Sequence, residues 1–185
     1  EKAFSCDETS AFGGIIALNK ALDKFTAKKI IDNQFVEVIA APAINPAAKK
    51  IIARKKNVRL LLVKDLFQKP TGFKTLTMNQ GILVQNVDDG AVSKKDLKVV
   101  TKKKPTSKQV NDALFAWRVG KYVKSNAIVY AKNNMTLGIG AGQMSRIDSA
   151  EIAVSKAKKA GFNLKGATMA SDAFFPFRDS IDEAA

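Results

Sequence analysis

The alternation of strand and helix signals over residues 14–63 constrains the fold more than any other feature of the sequence. Short apolar runs typical of strands occur at residues 14–18, 35–40 and 58–63. Asn19 is placed to cap a helix after the first run, and Asn45, followed by Pro46, is placed to begin another after the second. In the first helical segment the apolar residues at helical spacing are Leu22, Phe25, Ala27 and Ile30. Such a β-α-β-α-β run predicts an α/β layer in which helices pack on a sheet.

The rest of the chain predicts a second α/β region after a β-rich bridge. Strands are expected at residues 81–85, 97–101, 127–131, 136–140 and 167–170, and helices from about residue 106 and over residues 148–161. A turn through Asn133 and Asn134 joins the third and fourth of these strands into a hairpin. Trp117 lies on the apolar face of the first helix, which predicts a core position. Because the β-α-β pattern recurs in both halves, two similar subdomains are expected.

Composition excludes several classes of chemistry. The chain has 185 residues, one cysteine and no histidine, which excludes an internal disulfide, His-ligated metals and imidazole acid–base catalysis. No apolar run approaches the roughly 20 residues of a membrane-spanning helix, and the first ten residues show no signal-peptide pattern. An intracellular soluble protein is therefore expected.

The net charge of +14 predicts attraction for polyanions such as nucleic acid, phosphorylated metabolites and polyglutamyl tails. Lysine-rich stretches occur at residues 49–56, 94–104 and 156–159. They are interleaved with aliphatic residues and nearly lack aromatic ones, whereas nucleic-acid surfaces more often carry stacking rings beside their lysines. Solvated lysines on helix faces and loops are therefore the favoured interpretation.

A glycine-rich segment at residues 138–146 follows a strand and precedes a helix. Its three glycines are spaced every two residues, so the segment lacks the G-x-G-x-x-G spacing of a dinucleotide-binding loop. Ser145 and Arg146 could instead hold a carboxamide or a carboxylate, because the arginine side chain offers a planar fork of donors. The alternative is an arginine paired with a neighbouring carboxylate beside a tight turn.

An aromatic segment, SDAFFPFRD at residues 171–179, has unusual chemistry for a surface loop. Three phenylalanines surround Pro176, and Asp172 and Asp179 flank them. This arrangement predicts a rigid apolar wall on which an extended aromatic ligand stacks, with Asp179 accepting hydrogen bonds from an amino-pyrimidine edge. The alternative is an aromatic turn that fills the core and is capped by its aspartates. A further segment at residues 9–14 joins small hydroxyls, a ring and paired glycines, and by itself predicts only a tight turn.

Five long motifs occur in a fixed order that spans nearly the whole chain. They are SAFGGIIA (residues 10–17), QFVEVIAAP (34–42), KYVKSNAIVYAK (121–132), GIGAGQMSRIDSA (138–150) and MASDAFFPFRDSIDEAA (169–185). Together they closely resemble the bifunctional purine biosynthesis enzymes, in their aminoimidazole carboxamide ribonucleotide (AICAR) formyltransferase domain. The resemblance implies an α/β fold of two cytidine-deaminase-like subdomains, each a mixed sheet with packed helices. It implies the end of the first subdomain at residues 1–65, a β-rich bridge at 66–105 and the start of the second subdomain at 106–185.

The resemblance also implies the reaction. A formyl group moves from 10-formyltetrahydrofolate, a cosubstrate and not a tightly bound cofactor, to the 5-amino group of AICAR in IMP biosynthesis. The family's proteins are expected to be cytoplasmic homodimers with shared sites, and to carry a separate IMP cyclohydrolase domain. The catalytic Lys-His pair that the family has upstream of SAFGG is absent here. We therefore expect an excerpt of the transferase domain that is inactive alone and has no metal, nucleic-acid or membrane partner.

Carried over position by position, the resemblance implies roles for particular side chains. Asn126 is expected to position the nucleotide. The expected substrate contacts are Arg146, Phe174 and Gly13. The expected folate pocket is lined by Thr9, Phe12, Ser145, Ile147, Pro176, Phe177 and Asp179, the last of which binds the pterin ring.

One hypothesis from another class stays open, namely a basic, non-catalytic module that binds nucleic acid or another polyanion. The net charge of +14 points to it. Phosphate-driven binding weakens steeply with salt and ignores antifolates, which separates it from the transferase hypothesis. A deaminase-like hydrolase is excluded because the sequence has no cluster of His and Cys to hold zinc.

Overall fold

The computed structural model describes residues 1–65, 68 and 71–184. In chain order its elements are α1 (Lys2–Ser5), β1 (Gly14–Ala17), α2 (Lys24–Asn33), β2 (Val36–Ala41), α3 (Pro46–Ile52), β3 (Arg59–Leu62), β4 (Phe73–Met78), β5 (Gly81–Asn86), a 3₁₀ turn (Lys94–Asp96), α4 (Ser107–Gly120), β6 (Ile128–Lys132), β7 (Met135–Gly140), α5 (Arg146–Lys159), β8 (Thr168–Ser171) and α6 (Asp179–Ala184). None of the described helices is long and apolar enough to cross a membrane.

The chain divides into two compact units. The amino-terminal unit comprises residues 9–90, and the carboxyl-terminal unit comprises residues 91–185 together with residues 1–8. The division into subdomains that the family resemblance implies has other bounds and stays a prediction.

The amino-terminal unit contains a parallel sheet of order β1-β2-β3. Helices α2 and α3 connect these strands, because parallel neighbours require a crossover connection. Leu22 and Ile39 are among the fully buried side chains of its core. Helix α3 begins as the sequence predicts, with Pro46 as its first residue and Asn45 Oδ1 accepting a hydrogen bond from Ala47 N at 2.8 Å.

Helix α2 begins later than the sequence pattern predicts. Asp23, not Asn19, caps it and accepts a hydrogen bond from the backbone of the first turn at 2.7 Å. Leu22 therefore precedes the helix and forms an isolated parallel β-bridge. The sequence predicts Phe25 on the apolar face, but this residue is 80% exposed because the helix buries Ala27 instead.

Strands β4 and β5 form an antiparallel hairpin within the amino-terminal unit. The sequence predicts β5 but not β4. Every residue of both strands is exposed, although the hairpin pairs Leu76 directly with Leu83. This hairpin therefore presents apolar side chains that none of the described residues buries.

The strand predicted at residues 97–101 is wrong, since these residues have no regular structure. Val99 and Val100 favour extended backbone, but a β-prone run becomes a strand only where a partner strand accepts its hydrogen bonds. Val100 is 83% exposed and contributes nothing to a core.

The carboxyl-terminal unit contains an antiparallel sheet of order β7-β6-β8. Strands β6 and β7 form the predicted hairpin, and Asn133 and Asn134 adopt positive φ angles of 57° and 53°, as a tight hairpin turn requires. Helix α5 crosses from β7 to β8, which flank β6 and run in the same direction. Ile128 of β6 packs against α5, and Val129 packs on the opposite face against α4.

The fold is mixed α/β with helices packed on sheets, as expected. Each of the two three-stranded sheets has one kind of pairing, however, which is parallel in β1-β2-β3 and antiparallel in β7-β6-β8. Among the described residues neither of these two sheets is mixed, and cytidine-deaminase-like subdomains with mixed sheets stay a prediction. Helices join β1, β2 and β3, whereas a tight turn joins β6 to β7, and a tight turn can connect only antiparallel neighbours.

Helix α4 begins where the sequence predicts, and Thr106 caps it, because Thr106 Oγ1 accepts a hydrogen bond from Gln109 N at 3.3 Å. The prediction of a core position for Trp117 is wrong, since this residue is only half-buried. The helix packs on β6 through Ala116, which contacts the core cluster containing Val129.

The segment of residues 1–8 is bound to the carboxyl-terminal unit at both of its ends. Lys2 Nζ donates to the carbonyl oxygen of Asn133 at 3.2 Å, and Lys156 Nζ donates to Asp7 Oδ2 at 2.9 Å. Cys6 between them is buried. The segment therefore completes a unit whose other residues follow it by more than 80 positions.

Candidate functional site

Three segments of the carboxyl-terminal unit meet at the side chain of Arg146, the first residue of α5. Its Nη1 donates to Asn126 Oδ1 at 2.6 Å, its Nε to Ser171 Oγ at 3.0 Å and its Nη2 to Asp172 Oδ1 at 3.1 Å. Asn126 lies shortly before β6, Ser171 ends β8 and Asp172 follows it. The guanidinium thus ties the starts of β6 and α5 to the end of β8. These four residues are termed the Arg146 cluster.

Asn126 holds the loop before α5 against the start of β6. Its Nδ2 donates to the carbonyl oxygens of Gln143 at 2.9 Å and Met144 at 3.0 Å. Its own carbonyl oxygen accepts a hydrogen bond from Ser149 Oγ at 2.7 Å, and Ser149 is fully buried. Both polar groups of the Asn126 side chain are therefore bonded within the protein.

The carboxylate of Asp172 is the charged partner of Arg146. Its Oδ1 also accepts a hydrogen bond from Ala127 N at 3.1 Å, and the Ser125 side chain donates to it as well. Burial is the largest single effect and raises the pKa of Asp172, but the hydrogen bonds from Ser125 and Ala127 and the charge of Arg146 together lower it below its ordinary value. The side chains of Arg146 and Asp172 are only 11% and 21% exposed. The cluster therefore holds an ion pair whose arginine side chain is nearly buried, although Asp172 as a whole residue is exposed.

The sequence interpretation of Arg146 as an arginine paired with a neighbouring carboxylate is confirmed by this ion pair. Pairing does not exhaust its donors, because a guanidinium carries five N–H groups. Within the described residues one N–H of Nε, one of Nη1 and one of Nη2 are used. One N–H on each terminal nitrogen remains for a ligand.

The close approach of α5 to β7 explains the glycines of this strand. A Cβ built on Gly138 would overlap the carbonyl oxygen of Ala153, and one built on Gly140 would overlap that of Ser149. Their spacing of two residues places both glycines on the same face of the strand. The glycines therefore serve helix packing, and they bring the first turn of α5 to the start of β6.

Helix α5 begins at Arg146, two residues before the predicted start at Asp148. Ser145 caps it, because its Oγ accepts a hydrogen bond from Asp148 N at 3.1 Å. Ser145 and Ile147 are both half-buried. The cap fixes the backbone at the point where the Arg146 side chain leaves the helix, while the folate contacts of Ser145 and Ile147 stay a prediction.

The aromatic segment leads from β8 to α6. Phe174 is 80% exposed and Phe177 is 72% exposed, and Pro176 is exposed too. Phe175 is half-buried and packs against the core between α5 and the sheet. The interpretation as a turn that fills the core therefore holds for Phe175, while the other two rings form an exposed apolar surface. Asp179 begins α6 and is exposed.

Thr9, Phe12 and Gly13 belong to the amino-terminal unit and lie in the turn before β1. Gly13 has a φ of 70° and donates its N–H to the carbonyl oxygen of Phe35 at 3.1 Å, which confirms the predicted tight turn. The ring of Phe12 lies 5.3 Å from that of Phe35 between centroids and is 76% exposed. The structure places these three residues in a different unit from the Arg146 cluster.

Sequence reasoning missed Ser149 and Ser171, and it named Asp172 only as a flank of the aromatic segment. Ser149 lies three positions after Arg146 on α5, so helical spacing could have placed both on one face. Ser171 and Asp172 carried no comparable signal, because their contacts join strand ends that are distant in sequence.

The Arg146 cluster is suited to recognition and not to proton transfer. Arginine stays protonated in proteins, and the partners of Asp172 favour its ionised form. Among residues 1–65, 68 and 71–184, no group of three or more His, Cys, Asp or Glu side chains could hold a metal ion. What the arrangement offers is a fixed guanidinium plane that can donate to a carboxamide or carboxylate oxygen.

The chain matches a family model described as "AICARFT/IMPCHase bienzyme" over residues 1–156. The match covers well over half of the chain and includes Asn126, Ser145, Arg146 and Ile147, as well as the turn before β1. It ends before β8, so Ser171, Asp172 and the aromatic segment lie beyond the matched residues.

Proposed function

Since the chain belongs to the AICARFT/IMPCHase bienzyme family, which acts in purine biosynthesis, we propose that it is part of a folate-dependent formyltransferase. The substrate is the ribonucleotide AICAR and the formyl donor is 10-formyltetrahydrofolate. In the reaction, the 5-amino nitrogen attacks the formyl carbon and loses a proton, and the formyl carbon separates from N10 of the folate, which gains one. The observation that carries the proposal is the Arg146 cluster, whose arginine and asparagine lie within the matched family range.

The Arg146 cluster supports a role in holding the carboxamide of the nucleotide. The 5-amino group of AICAR lies beside its carboxamide, so fixing the carboxamide also aims the amine at the formyl carbon. The two N–H groups left on Nη1 and Nη2 of Arg146 can donate to the carboxamide oxygen. Orientation of this kind can supply several kcal/mol of rate enhancement in a reaction between two bound substrates.

The aromatic segment supports a role in folate binding. Phe174 and Phe177 expose most of their rings, and Pro176 between them restricts the backbone. A pterin or benzoyl ring could stack on such a surface, and the carboxylate of Asp179 could accept its N–H donors. Phe12 presents a third exposed ring in the turn before β1. In a cytoplasmic homodimer with shared sites, folate and the second subunit would cover these rings.

The chain's own residues supply binding but no group for moving the proton of the attacking amine. It contains no histidine, and general acid–base catalysis typically contributes about 10²–10⁴-fold in rate. We therefore propose that the active protein is longer than this chain, carries the Lys-His pair upstream and also contains the IMP cyclohydrolase domain. The 185-residue chain by itself is expected to form no tetrahydrofolate from the two substrates.

The test is an assay of the full-length protein that follows tetrahydrofolate formation from 10-formyltetrahydrofolate and AICAR. In Arg146→Lys the charge is kept but the planar fork is lost, so KM for the nucleotide should rise by about tenfold or more. The matched control is Arg118→Lys on α4, whose side chain is exposed, and it should leave both KM values unchanged. An inactive wild-type protein, or an unchanged nucleotide KM in Arg146→Lys, would contradict the proposal.

A further inference from the structure

Asp172 lies outside the set of contacts expected for either substrate, yet its carboxylate joins all the segments of the Arg146 cluster. It accepts hydrogen bonds from Arg146 Nη2 at 3.1 Å and from Ala127 N at 3.1 Å. We infer that Asp172 is a positioning residue that fixes the guanidinium plane of Arg146 for the nucleotide. The inference rests on the proposed function in that Arg146 is taken to be the nucleotide contact.

Arg146 needs external positioning because its side chain is long and flexible. An arginine side chain has many rotamers, and the entropy of these rotamers opposes any single orientation. Here its three nitrogens are each bound to a different acceptor, on Asn126, Ser171 and Asp172. Three acceptors define the guanidinium plane, and Asp172 is the one that carries a charge.

The charge of Asp172 matters because the guanidinium is nearly buried. The Arg146 side chain is 11% exposed, so water replaces a lost carboxylate partner only poorly, and an uncompensated cation in such a place would shift toward solvent. A neutral residue at position 172 should therefore release the Nη2 end of the guanidinium. The two N–H groups proposed to hold the carboxamide would then lose their fixed direction.

A purely structural role for Asp172 is the competing explanation, because the same oxygen also anchors the start of β6 through Ala127 N. The chain offers a matched control for that role in Asp112. Asp112 is 4% exposed and its Oδ1 accepts a hydrogen bond from Asn134 N at 2.8 Å, at the opposite end of the same hairpin. It therefore anchors the backbone of β6–β7 as Asp172 does, without forming part of the Arg146 cluster.

The first measurement compares Asp172→Asn with Asp112→Asn in the full-length protein. Asp172→Asn is expected to raise KM for AICAR by about tenfold, the effect of one lost charge-assisted hydrogen bond, with KM for folate unchanged within about twofold. Asp112→Asn should lower the melting temperature and leave both KM values unchanged. Equal rises in both KM values for Asp172→Asn, or the same nucleotide effect in the control, would overturn the inference.

The second measurement follows the Nε–H signal of Arg146 by NMR, identified by its loss in Arg146→Lys. In the wild-type protein the bond to Ser171 should slow hydrogen exchange at Nε, and Asp172→Asn should accelerate it by about tenfold, which Asp112→Asn should not do. An unchanged exchange rate at Nε in Asp172→Asn would overturn the inference.

Where Asp172→Asn does not fold, Asp172→Ser replaces it, because the serine hydroxyl can still accept a hydrogen bond from Ala127 N. This measurement needs no turnover. A wild-type protein without transferase activity would therefore refute the proposed function, and the exchange rates would still decide whether Asp172 fixes the Arg146 side chain.

Discussion

Hairpins β4–β5 and β6–β7 contain strands of similar length but differ in what covers them. In β4–β5 every residue is exposed, including Phe73 at 70% and Ile82 at 66%. In β6–β7 the first four residues of β6 are buried, and α4 and α5 pack on its two faces. A two-stranded hairpin alone is only marginally stable, whereas a hairpin packed against helices is rigid. The Arg146 cluster forms at the end of the covered hairpin.

The difference comes from particular residues and not from strand propensity. Gly138 and Gly140 allow the backbone of α5 to lie directly on β7, and Asp112 binds the turn of β6–β7 to α4. In β4–β5, by contrast, a Cβ added to Gly81, the first residue of β5, would meet no atom within 4 Å. Rigid support of this kind is what a binding cluster needs, because its side chains must be held close to one geometry.

The largest expected effect is that of Gly140→Ala in the covered hairpin. The new Cβ would overlap the backbone carbonyl of Ser149, which no side-chain rotation relieves, so the free energy of unfolding should fall by about 3 kcal/mol or more. Gly81→Ala makes the matched change in β4–β5 and should alter it by less than about 1 kcal/mol. Urea denaturation measures the free energy of unfolding of both variants. Equal losses in the two would contradict the difference in packing between β4–β5 and β6–β7.

The next effect concerns the pH dependence of the Asp172 ion pair. Because the folded-state pKa of Asp172 is lowered, its contribution is fully present above the unfolded-state pKa of about 3.9 and is lost as the pH falls through the folded value. At pH 7, Asp172→Asn should therefore be less stable than the wild-type protein by about 2 kcal/mol. The gap should close below about pH 4. Hairpin β4–β5 has no carboxylate, so it contains no ion pair of this kind to lose at low pH.

Denaturation curves of wild-type protein and Asp172→Asn at several pH values test this directly. Subtracting the variant removes the acid sensitivity of Asp23 and Asp96, whose pKa values are lowered too, mainly by hydrogen bonds from Thr26 and Ser93. A gap that stayed constant down to pH 2 would show that the charge of Asp172 contributes nothing to folding.

A smaller effect is expected from the hydroxyl that binds Asn126. Ser149→Ala removes a donor that lies 2.7 Å from the Asn126 carbonyl oxygen in a fully buried place, and should cost about 1–2 kcal/mol. Thr75→Ala on the exposed hairpin is the control and should cost no more than about 0.5 kcal/mol. Thermal unfolding of both variants measures these losses of stability. An equal loss in Thr75→Ala and Ser149→Ala would contradict the contrast between the two hairpins.

The smallest effect is predicted for Leu83→Thr in β5. Leu83 lies opposite Leu76, and the two side chains are 50% and 61% exposed. Little apolar area is lost from the folded chain, so its stability should change by less than about 0.5 kcal/mol. The same unfolding measurement decides it. A loss above about 1 kcal/mol would mean that β4–β5 is covered in solution.

The parts of the fold that local chemistry determines could be predicted from the sequence. Asn45 with Pro46, and Thr106 with Gln109, each place a helix start within a few residues, because a cap acts on the backbone beside it. The prediction of a strand at residues 97–101 was wrong because a strand also needs a partner strand, which local sequence does not supply. The predicted start of helix α2 was wrong because two polar residues, Asn19 and Asp23, could each act as its cap.

The candidate site could be predicted only in part, because its contacts join segments that are distant in sequence. Arg146 and Asn126 stand out in long motifs, but their contacts span 20 positions, and Arg146 and Asp172 are 26 positions apart. The sequence did not show that Gly138 and Gly140 serve helix packing, because glycine has several uses that look alike in sequence. Which use applies depends on the helix that lies against the strand.

The attachment of residues 1–8 to the carboxyl-terminal unit has a consequence for the order of folding during synthesis. Lys2 and Asp7 bind partners that lie 131 and 149 positions later in the chain. When these residues leave the ribosome, neither the turn at Asn133 nor helix α5 exists yet. Residues 9–90 can therefore fold first as the unit enclosed between them. Residues 1–8 can then make these two contacts only after α5 has been made, and contacts of such high contact order make their docking one of the last steps of folding.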